Sequence, residues 1–138
     1  MAFADAQLPA VIQEASCPAK ITLAGTVVRG DAIGYSTGWK RALATAGSVV
    51  QLRGVAGENG VSGDIITAFF GPCVLGGDDR FSGATPGGAV YVAEGSDNGK
   101  FTQTAPTTQS DADTQVGVAI SATELLITPN VEADHVHA

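Results

Sequence analysis

The chain has very few histidine side chains that could act as a catalytic acid or base. Its 138 residues include two histidines, His135 and His137, and both lie within the last four positions. Hydrolysis by a Ser–His or Cys–His pair needs a histidine beside the nucleophile. No other histidine exists to act as general base. We therefore predict that the chain is not an enzyme.

The same two histidines are the sequence's candidates for a metal site. In an extended strand they would share a face and could bind a metal beside Glu132 or Asp134. A metal site also needs a third fixed ligand and a rigid surrounding shell, which a terminal tail rarely supplies. We expect no metal and no cofactor, and the role of His135 and His137 stays open.

Cysteines and long apolar runs are also scarce. Cys17 and Cys73 are too few for a disulfide scaffold and lack metal-ligand spacing, so we interpret them as small buried apolar residues. No apolar run approaches the roughly 20 residues of a membrane span. The first sixteen residues have no base, and Pro9 interrupts the short apolar segment 8–12, unlike a secretory signal. The sequence indicates a soluble protein made in the cytoplasm, with no membrane partner.

Positive charge is limited in number and in position. Lys and Arg number 7 against 14 Asp and Glu, and all seven bases lie between residues 20 and 100. That stretch is neutral, so the net charge of −7 comes from the two ends. Because no basic stripe can neutralise phosphates, we predict no nucleic acid partner. The acidic ends either meet a basic protein surface or only keep the chain soluble.

The chain is rich in short β-type runs bounded by Gly, Pro, Asn or Asp. The runs cover residues 21–23, 32–35, 49–53, 65–70, 89–92, 114–118 and 125–127. Turns about every ten residues predict a mainly β fold, a compact small barrel or β-tulip-like domain, rather than alternating β and α units. Only 10–16 and 121–125 could form a helical turn or two.

Three pairs of motifs recur 57 to 63 residues apart. Segment 30–35 resembles 87–92, 54–56 resembles 117–119, and 64–67 resembles 124–128. One copy of such a unit cannot cover its own apolar side, so the pattern favours two related halves that share a buried face. The alternative is that Gly-Ala-Val combinations are simply common in a chain with 18 glycines.

The sequence divides into an N-terminal arm at 1–18, a β domain at 19–129 and a flexible acidic tail at 130–138. Two prolines interrupt the arm, and its apolar points are few. We expect the arm to be extended and mobile in solution, so that deleting residues 2–16 leaves the melting temperature almost unchanged. Segment 102–114 has no residue able to anchor a core, which predicts an exposed loop.

Several motifs have ordinary structural explanations. Segment 95–100 has the wrong spacing for a phosphate loop and is interpreted as a hairpin turn. Asp78, Asp79 and Asp97 could suggest calcium binding or sugar hydrolysis, but nothing in the sequence brings them together. The Arg-Gly-Asp tripeptide at 29–31 opens the first repeat unit and does not indicate adhesion.

The order of these motifs resembles the small phage capsid decoration, or cement, proteins. In that family a Gly-Asp-Ala-Val-type strand leads to a Gly-Val-Ala segment, a Gly-Asp-hydrophobic strand and a Gly-Gly-Ala-Val-Tyr hairpin. The matching segments here are 29–34, 54–56, 62–66 and 86–91, with closing strands at 115–119 and 125–127. The resemblance covers residues 20–129 and rests on small-residue patterns.

The resemblance implies a structural protein on the outer capsid surface of a virion. Such a protein clamps neighbouring major capsid subunits, as a homotrimer whose arms act together. The apolar side chains of the arm are then the expected capsid contacts, namely Phe3, Leu8, Val11 and Ile12, with the 102–114 loop as the alternative contact.

A second hypothesis is a glycan- or receptor-binding module of a phage head or tail fibre. Tyr35 and Trp39 flank Gly38 and could stack on a sugar, and the 102–114 loop could also contact a glycan. Aromatic residues that enter a β-hairpin are more often cross-strand or core pairs.

Overall fold

The structure is a computed structural model that describes residues 3–96, 98–129 and 134–138. These residues form thirteen strands and no helix, so nothing described crosses a membrane as a helix. The strands are β1 (Ala4–Asp5), β2 (Val11–Glu14), β3 (Pro18–Thr22), β4 (Ala32–Tyr35), β5 (Trp39–Arg41), β6 (Gly54–Ala56), β7 (Ile65–Phe69), β8 (Cys73–Gly76), β9 (Phe81–Ser82), β10 (Ala89–Val92), β11 (Phe101–Thr102), β12 (Gly117–Ser121) and β13 (Glu124–Ile127).

The strands form three sheets, and all their ladders are antiparallel. The five-stranded sheet has the order β3-β7-β6-β4-β5, and the six-stranded sheet has the order β11-β10-β12-β13-β8-β2. Strands β1 and β9 form a separate pair. The predicted mainly β class is confirmed, whereas the described residues form no closed barrel. The helical turns expected at 10–16 and 121–125 are wrong, because both segments pair as strands.

The two large sheets contribute to one main core. Its fully buried side chains include Val55 from the five-stranded sheet and Leu75, Val90 and Leu125 from the six-stranded sheet. Each is worth roughly 1.5 to 3 kcal/mol of burial. Alternate residues of the five-stranded sheet, such as Ile33, face a second, smaller cluster that Trp39 and Phe70 help to cover. That sheet therefore packs on both of its faces.

The repeated motifs occupy matching places in the two sheets. The order β5-β4-β6-β7 in the five-stranded sheet corresponds to the order β11-β10-β12-β13 in the six-stranded sheet. In each order the first strand is short and pairs with the strand that precedes it in the chain. The register of β4 with β6 matches that of β10 with β12, since Ala32 pairs with Val55 and Ile33 with Gly54, as Ala89 pairs with Val118 and Val90 with Gly117. The connections differ: eight residues separate β6 from β7, and two separate β12 from β13.

The described residues 3–18 of the arm contact the body, whereas the mobility of the arm in solution stays a prediction. Strand β2 forms one edge of the six-stranded sheet, and β1 pairs with β9. Ala10 is fully buried and its amide donates to Arg29 O at 2.9 Å. A Cβ on Gly30 would lie 2.5 Å from the Ala10 Cβ, so the missing side chain at Gly30 makes room for the arm.

Parts of the tail and of the long loop also contact the body. Residues 130–133 lie outside the described part of the chain, but 134–138 pair with the loop, with a bridge between Ala112 and Val136. Arg53 holds Asp134 through both guanidinium nitrogens, at 2.8 and 2.6 Å. Residues 134–138 thus contact the body, and the flexibility of the tail stays a prediction. Segment 102–114 is exposed at 107–110, whereas Asp111 and Ala112 are buried.

Candidate functional site

A buried ion network attaches the arm to both large sheets. The Arg80 guanidinium has no exposed surface and binds the Asp5 carboxylate of β1 side-on, with Nε–Oδ1 at 2.8 Å and Nη2–Oδ2 at 3.1 Å. Its Nη1 also pairs with Asp31 at 2.9 Å. The Asp31 carboxylate in turn accepts from Arg41 Nε of β5 at 2.7 Å. One arm residue thus completes a chain of four alternating charges.

The remaining donors and acceptors of this network are also used. Arg80 donates to the carbonyls of Leu8 and Gly99, both at 3.3 Å. The second Asp5 oxygen accepts from the Phe101 amide at 2.9 Å. A buried charge is tolerated only when it is paired and hydrogen-bonded. Without Asp5 of the arm, Arg80 and Arg41 would share the single carboxylate of Asp31.

The four predicted contact residues divide into two pairs. Phe3 stacks on Phe81 with ring centroids 6.1 Å apart, and Ile12 packs against the main core. Leu8 and Val11 are instead about half exposed, at 50% and 54%. Of the four, Leu8 and Val11 thus offer the most surface to another molecule.

Sequence reasoning missed a larger apolar surface, the outer face of the six-stranded sheet. We use "outer face" for the side chains of this sheet that point away from the main core: Val11, Val74, Ala89, Tyr91, Val118, Ile120 and Leu126. A row crosses four strands, because Val118 pairs with both Ala89 and Leu126, and Leu126 pairs with Val74. The alternate residues on these strands fill the main core instead.

The outer face contains almost no charge. The six strands include no Lys or Arg, and their two carboxylates, Glu14 and Glu124, lie towards the β2 and β8 side. A hollow of 210 Å³ opens beside Val118 and Leu126. Hydrogen bonds from Gln13 and Ser121 lower the pKa of the Glu124 carboxyl, so Glu124 stays ionised at the margin. A sheet that is apolar on both faces is typical of a protein-binding surface.

The aromatic pair of the β4–β5 hairpin is a smaller exposed feature. Tyr35 is 62% exposed and meets the edge of Trp39, with centroids 5.3 Å apart. Trp39 meets Phe70 in the same way at 5.4 Å. Trp39 is therefore a cross-strand and packing residue, whereas one face of Tyr35 is open to a ligand.

The two histidines both lie against Asp113. His135 Nδ1 contacts one oxygen of that carboxylate, and His137 Nδ1 lies 3.3 Å from the other. The His135 hydrogen bond, with a smaller effect from His137, lowers the pKa of Asp113. Among the residues with described side chains, no three His, Cys, Asp or Glu groups are arranged to hold a metal ion. The arrangement fastens the tail to the loop.

The other sequence candidates are distributed as follows. Asp78 and Asp79 lie on an exposed turn, and Asp97 is outside the described residues. Asp31 of the Arg-Gly-Asp tripeptide is fully buried and cannot reach a receptor. Burial raises the pKa of the Cys73 thiol to about 12, so it stays protonated and inert.

The sequence contained a weak signal for the ion network and for the outer face. Asp5 is one of only two charges in the arm, but its partner is 75 residues away. The strand 89–92 contains only apolar residues, which is typical of burial on both faces.

Comparison of the chain with family models, with curated proteins and with solved structures finds no match.

Proposed function

We propose that the chain is a structural phage head decoration (cement) protein. It binds the outer surface of a capsid and stabilises it by clamping neighbouring major capsid subunits. The observation that carries this proposal is the outer face, an apolar row across four strands with no base among its strands. The family is proposed because of the order of the motifs at 29–34, 54–56, 62–66 and 86–91. The outer face is the surface through which the chain would bind the capsid.

The outer face suits a large, flat protein partner better than a small ligand. Its side chains are spread over four strands rather than gathered in a deep pocket, and the hollow beside Leu126 is only 210 Å³. Small-molecule sites are typically concave and of about 300 to 1,000 Å³. Covering each half-buried Val, Leu or Ile of the face contributes at most roughly 1.5 kcal/mol. Several such contacts give a useful affinity when many copies act together.

The arm keeps a role in this proposal, but a different one. Val11 pairs with Gly76 and lies at the margin of the outer face, and Leu8 is exposed just before it. These two side chains extend the proposed capsid contact. Phe3 and Ile12 support it from within, because they fix the arm to the core.

The finer architecture belongs to the same proposal. We propose that the domain is a β-tulip-like unit built from two related halves, which the matching registers of β4 with β6 and of β10 with β12 support. We further propose that it acts as a homotrimer at three-fold positions of the shell. A closed trimer gives each attachment point three copies of the outer face.

The decisive experiment asks whether the neighbouring gene encodes a major capsid protein and, if it does, measures binding of this chain to purified capsids of that protein. We expect Leu126→Gln and Val118→Gln to weaken binding about 5- to 160-fold each, since a polar amide in an apolar contact costs about 1 to 3 kcal/mol. Val61→Gln is the control, because Val61 is an apolar surface residue, 55% exposed, that lies outside the six strands. Co-sedimentation at fixed capsid concentration gives the affinities. Unchanged binding by both outer-face variants would refute this contact.

One observation favours a glycan- or receptor-binding module as the second candidate. The exposed Tyr35 ring contacts Trp39 edge to face and leaves one face open, which suits stacking on a sugar. A glycan array with the wild-type chain and the Tyr35→Ala variant separates the two functions. A specific glycan signal that disappears in Tyr35→Ala, together with no capsid binding, would favour the module.

A further inference from the structure

The arm joins the rest of the chain through a short turn with a strained backbone. The turn lies between β2 and β3 at residues 15–17, and Cys17 in it has a φ of 55°. This left-handed region is unfavourable for a residue with a side chain. Cys17 also precedes Pro18, and a residue before proline prefers extended backbone. The fold therefore holds Cys17 in a conformation that its own local sequence disfavours.

The turn is held by contacts with the segment between β7 and β8. Ser16 Oγ donates to Pro72 O at 2.8 Å, and the Gly71 amide donates to Ser16 O at 3.2 Å. The Phe70 amide donates to Cys17 O at 3.1 Å. Cys17 itself is exposed, as is the Ser16 hydrogen bond. These bonds lie at a corner of the molecule where water can replace them.

The contacts of β1 and β2 lie before this turn in the chain. β1 pairs with β9, β2 pairs with β8, and Asp5 pairs with Arg80. None of these contacts requires that the arm and the body belong to the same molecule. If Cys17 takes an extended backbone, β2 can lead directly towards β3 and the arm leaves its own body. The vacated place then fits the arm of another molecule.

The vacated place selects another copy of this chain as the partner. Arg80 is fully buried there and needs a carboxylate in the position of Asp5. Phe81 stacks on an aromatic ring, that of Phe3, and the missing side chain of Gly30 leaves room for a residue as small as alanine. The arm of a second copy meets all three requirements, because it is the same sequence.

We propose that copies of this chain exchange their arms through the turn at 15–17, so that each body is completed by the arm of a second copy. The arm makes the same contacts in the closed and the exchanged forms, whereas the strain at Cys17 is relieved only by exchange. Short connections under strain favour such swapping. The exchange links copies of the chain to each other and does not depend on capsid binding.

Disulfide trapping between two different chains tests the exchange. Ala4 and Ser82 are direct partners in the β1–β9 ladder, where opposite residues are close enough for a disulfide. One chain carries Ala4→Cys and the other Ser82→Cys, and both carry Cys17→Ser to remove an exposed thiol. The two chains are unfolded in urea, refolded together and oxidised. Because neither chain holds both new thiols, a heterodimer linked between positions 4 and 82 requires an exchanged arm.

Two controls set the scale of the expected result. We expect at least about 10-fold more heterodimer than in a pair with Ser48→Cys in place of Ser82→Cys, because docking of the arm raises the effective concentration of the two thiols. Ser48 lies on an exposed turn, whereas β1 pairs with β9. A single chain with both Ala4→Cys and Ser82→Cys should form the link internally at low concentration. Heterodimer at the level of the Ser48 pair would overturn the exchange, and so would a double variant that does not link, since β1 would then not lie on β9 in solution.

Substitutions at position 17 test the role of the turn. Glycine adopts a positive φ freely, so Cys17→Gly in both chains should lower the exchanged fraction about 5-fold relative to Cys17→Ser. A β-branched residue is poorly tolerated at a positive φ, so Cys17→Val should raise the fraction. Quantitative mass spectrometry of the linked peptides measures all three. Equal fractions in the three backgrounds would refute strain at Cys17 as the cause of exchange.

Discussion

Arg80 shows how one residue can depend on a distant one. All of its directions of donation are occupied, and the largest share goes to Asp5, which lies 75 residues earlier in the chain. Neither side chain exposes more than 1% of its surface. Removing one partner of a buried pair leaves a charge without compensation, which costs much more than an exposed pair contributes.

Asp5→Ala should therefore be strongly destabilising. We expect the free energy of unfolding to fall by about 3 kcal/mol, because Arg80 keeps only Asp31 as a counter-ion. Urea denaturation followed by circular dichroism measures the change. Asp79→Ala, on an exposed turn, is the control and should shift the free energy by less than about 0.5 kcal/mol. Equal midpoints for the two variants would mean that the network is dispensable.

Gly34 is a second residue whose role is steric. A Cβ at this position in β4 would overlap the carbonyl oxygen of Gln51 and lie 2.8 Å from Val50 Cγ1. We expect Gly34→Ala to destabilise the chain by about 3 kcal/mol, since a backbone atom cannot yield as a side-chain end can. Gly25→Ala is the matched control, because its nearest neighbour would be Lys40 Cβ at 3.7 Å. Thermal melts of the two variants should differ clearly, and similar melts would contradict the steric explanation.

Asp113 gives the chain part of its sensitivity to acid. Its pKa is lowered in the folded state by hydrogen bonds from His135 first and His137 second. A lowered carboxyl pKa contributes stability that is present above the unfolded value of about 3.9 and is lost as pH falls through the folded value. Between pH 5 and 3, Tm should therefore fall more steeply for wild type than for Asp113→Asn.

The Asp111 carboxyl, together with desolvation, raises the pKa of Glu94, which acts in the opposite direction over the same range. Both chains in this comparison should therefore carry Glu94→Gln, and ionic strength should be constant. Parallel Tm curves would show that the two histidines do not hold Asp113 in solution.

At the scale of elements, we predict that the arm contributes much more to thermal stability than the tail does. Deleting residues 2–8 removes β1, the Phe3 stack on Phe81 and the Asp5 charge. We expect that deletion to lower Tm by more than about 10 °C or to prevent folding. Deleting residues 134–138 removes exposed hydrogen bonds and the Arg53–Asp134 pair, so Tm should fall by only a few degrees. If the variant without residues 2–8 has the Tm of wild type, the arm is not part of the folded body.

The positions of the strands were easier to predict from the sequence than the pairing between strands. The runs at 32–35, 65–70, 89–92 and 125–127 all contain strands, because β-branched and aromatic residues between turn residues have a local signature. The docking of the arm had no such signature. It depends on Asp5 meeting Arg80, on Ala10 fitting against Gly30 and on β2 pairing with β8, all of which are long-range events.

The candidate site was predictable only in part, for a related reason. Sequence reasoning selected the apolar residues of the arm, and two of them, Leu8 and Val11, are exposed. It did not find the outer face, because the sequence pattern of an apolar strand is the same whether its side chains face a core or a partner. Only the register of β8, β13, β12 and β10 shows that Val74, Leu126 and Val118 form one row outside the core.

At the scale of the whole molecule, self-association is the property that the proposed function requires. We expect a trimer of about three times 13.8 kDa, either in solution or only on the shell. Light scattering at low micromolar concentration measures the mass. A monomer in solution is compatible with trimers that form on the capsid, and cross-linking of capsid-bound chains then decides. A stable dimer would contradict the three-fold model.

The pairing of Asp5 with Arg80 and the Phe101 amide also sets an order of events during synthesis. At about 5 to 20 residues per second, residue 101 leaves the ribosome roughly 5 to 20 s after residue 5. During this interval the arm has no completed binding place, and β2 lacks its partner strand until β8 has been made. A strand from another chain could pair there first. Newly made chains should therefore be most vulnerable to arm exchange and aggregation at high expression, and slower translation of residues 76–101 should lengthen that period.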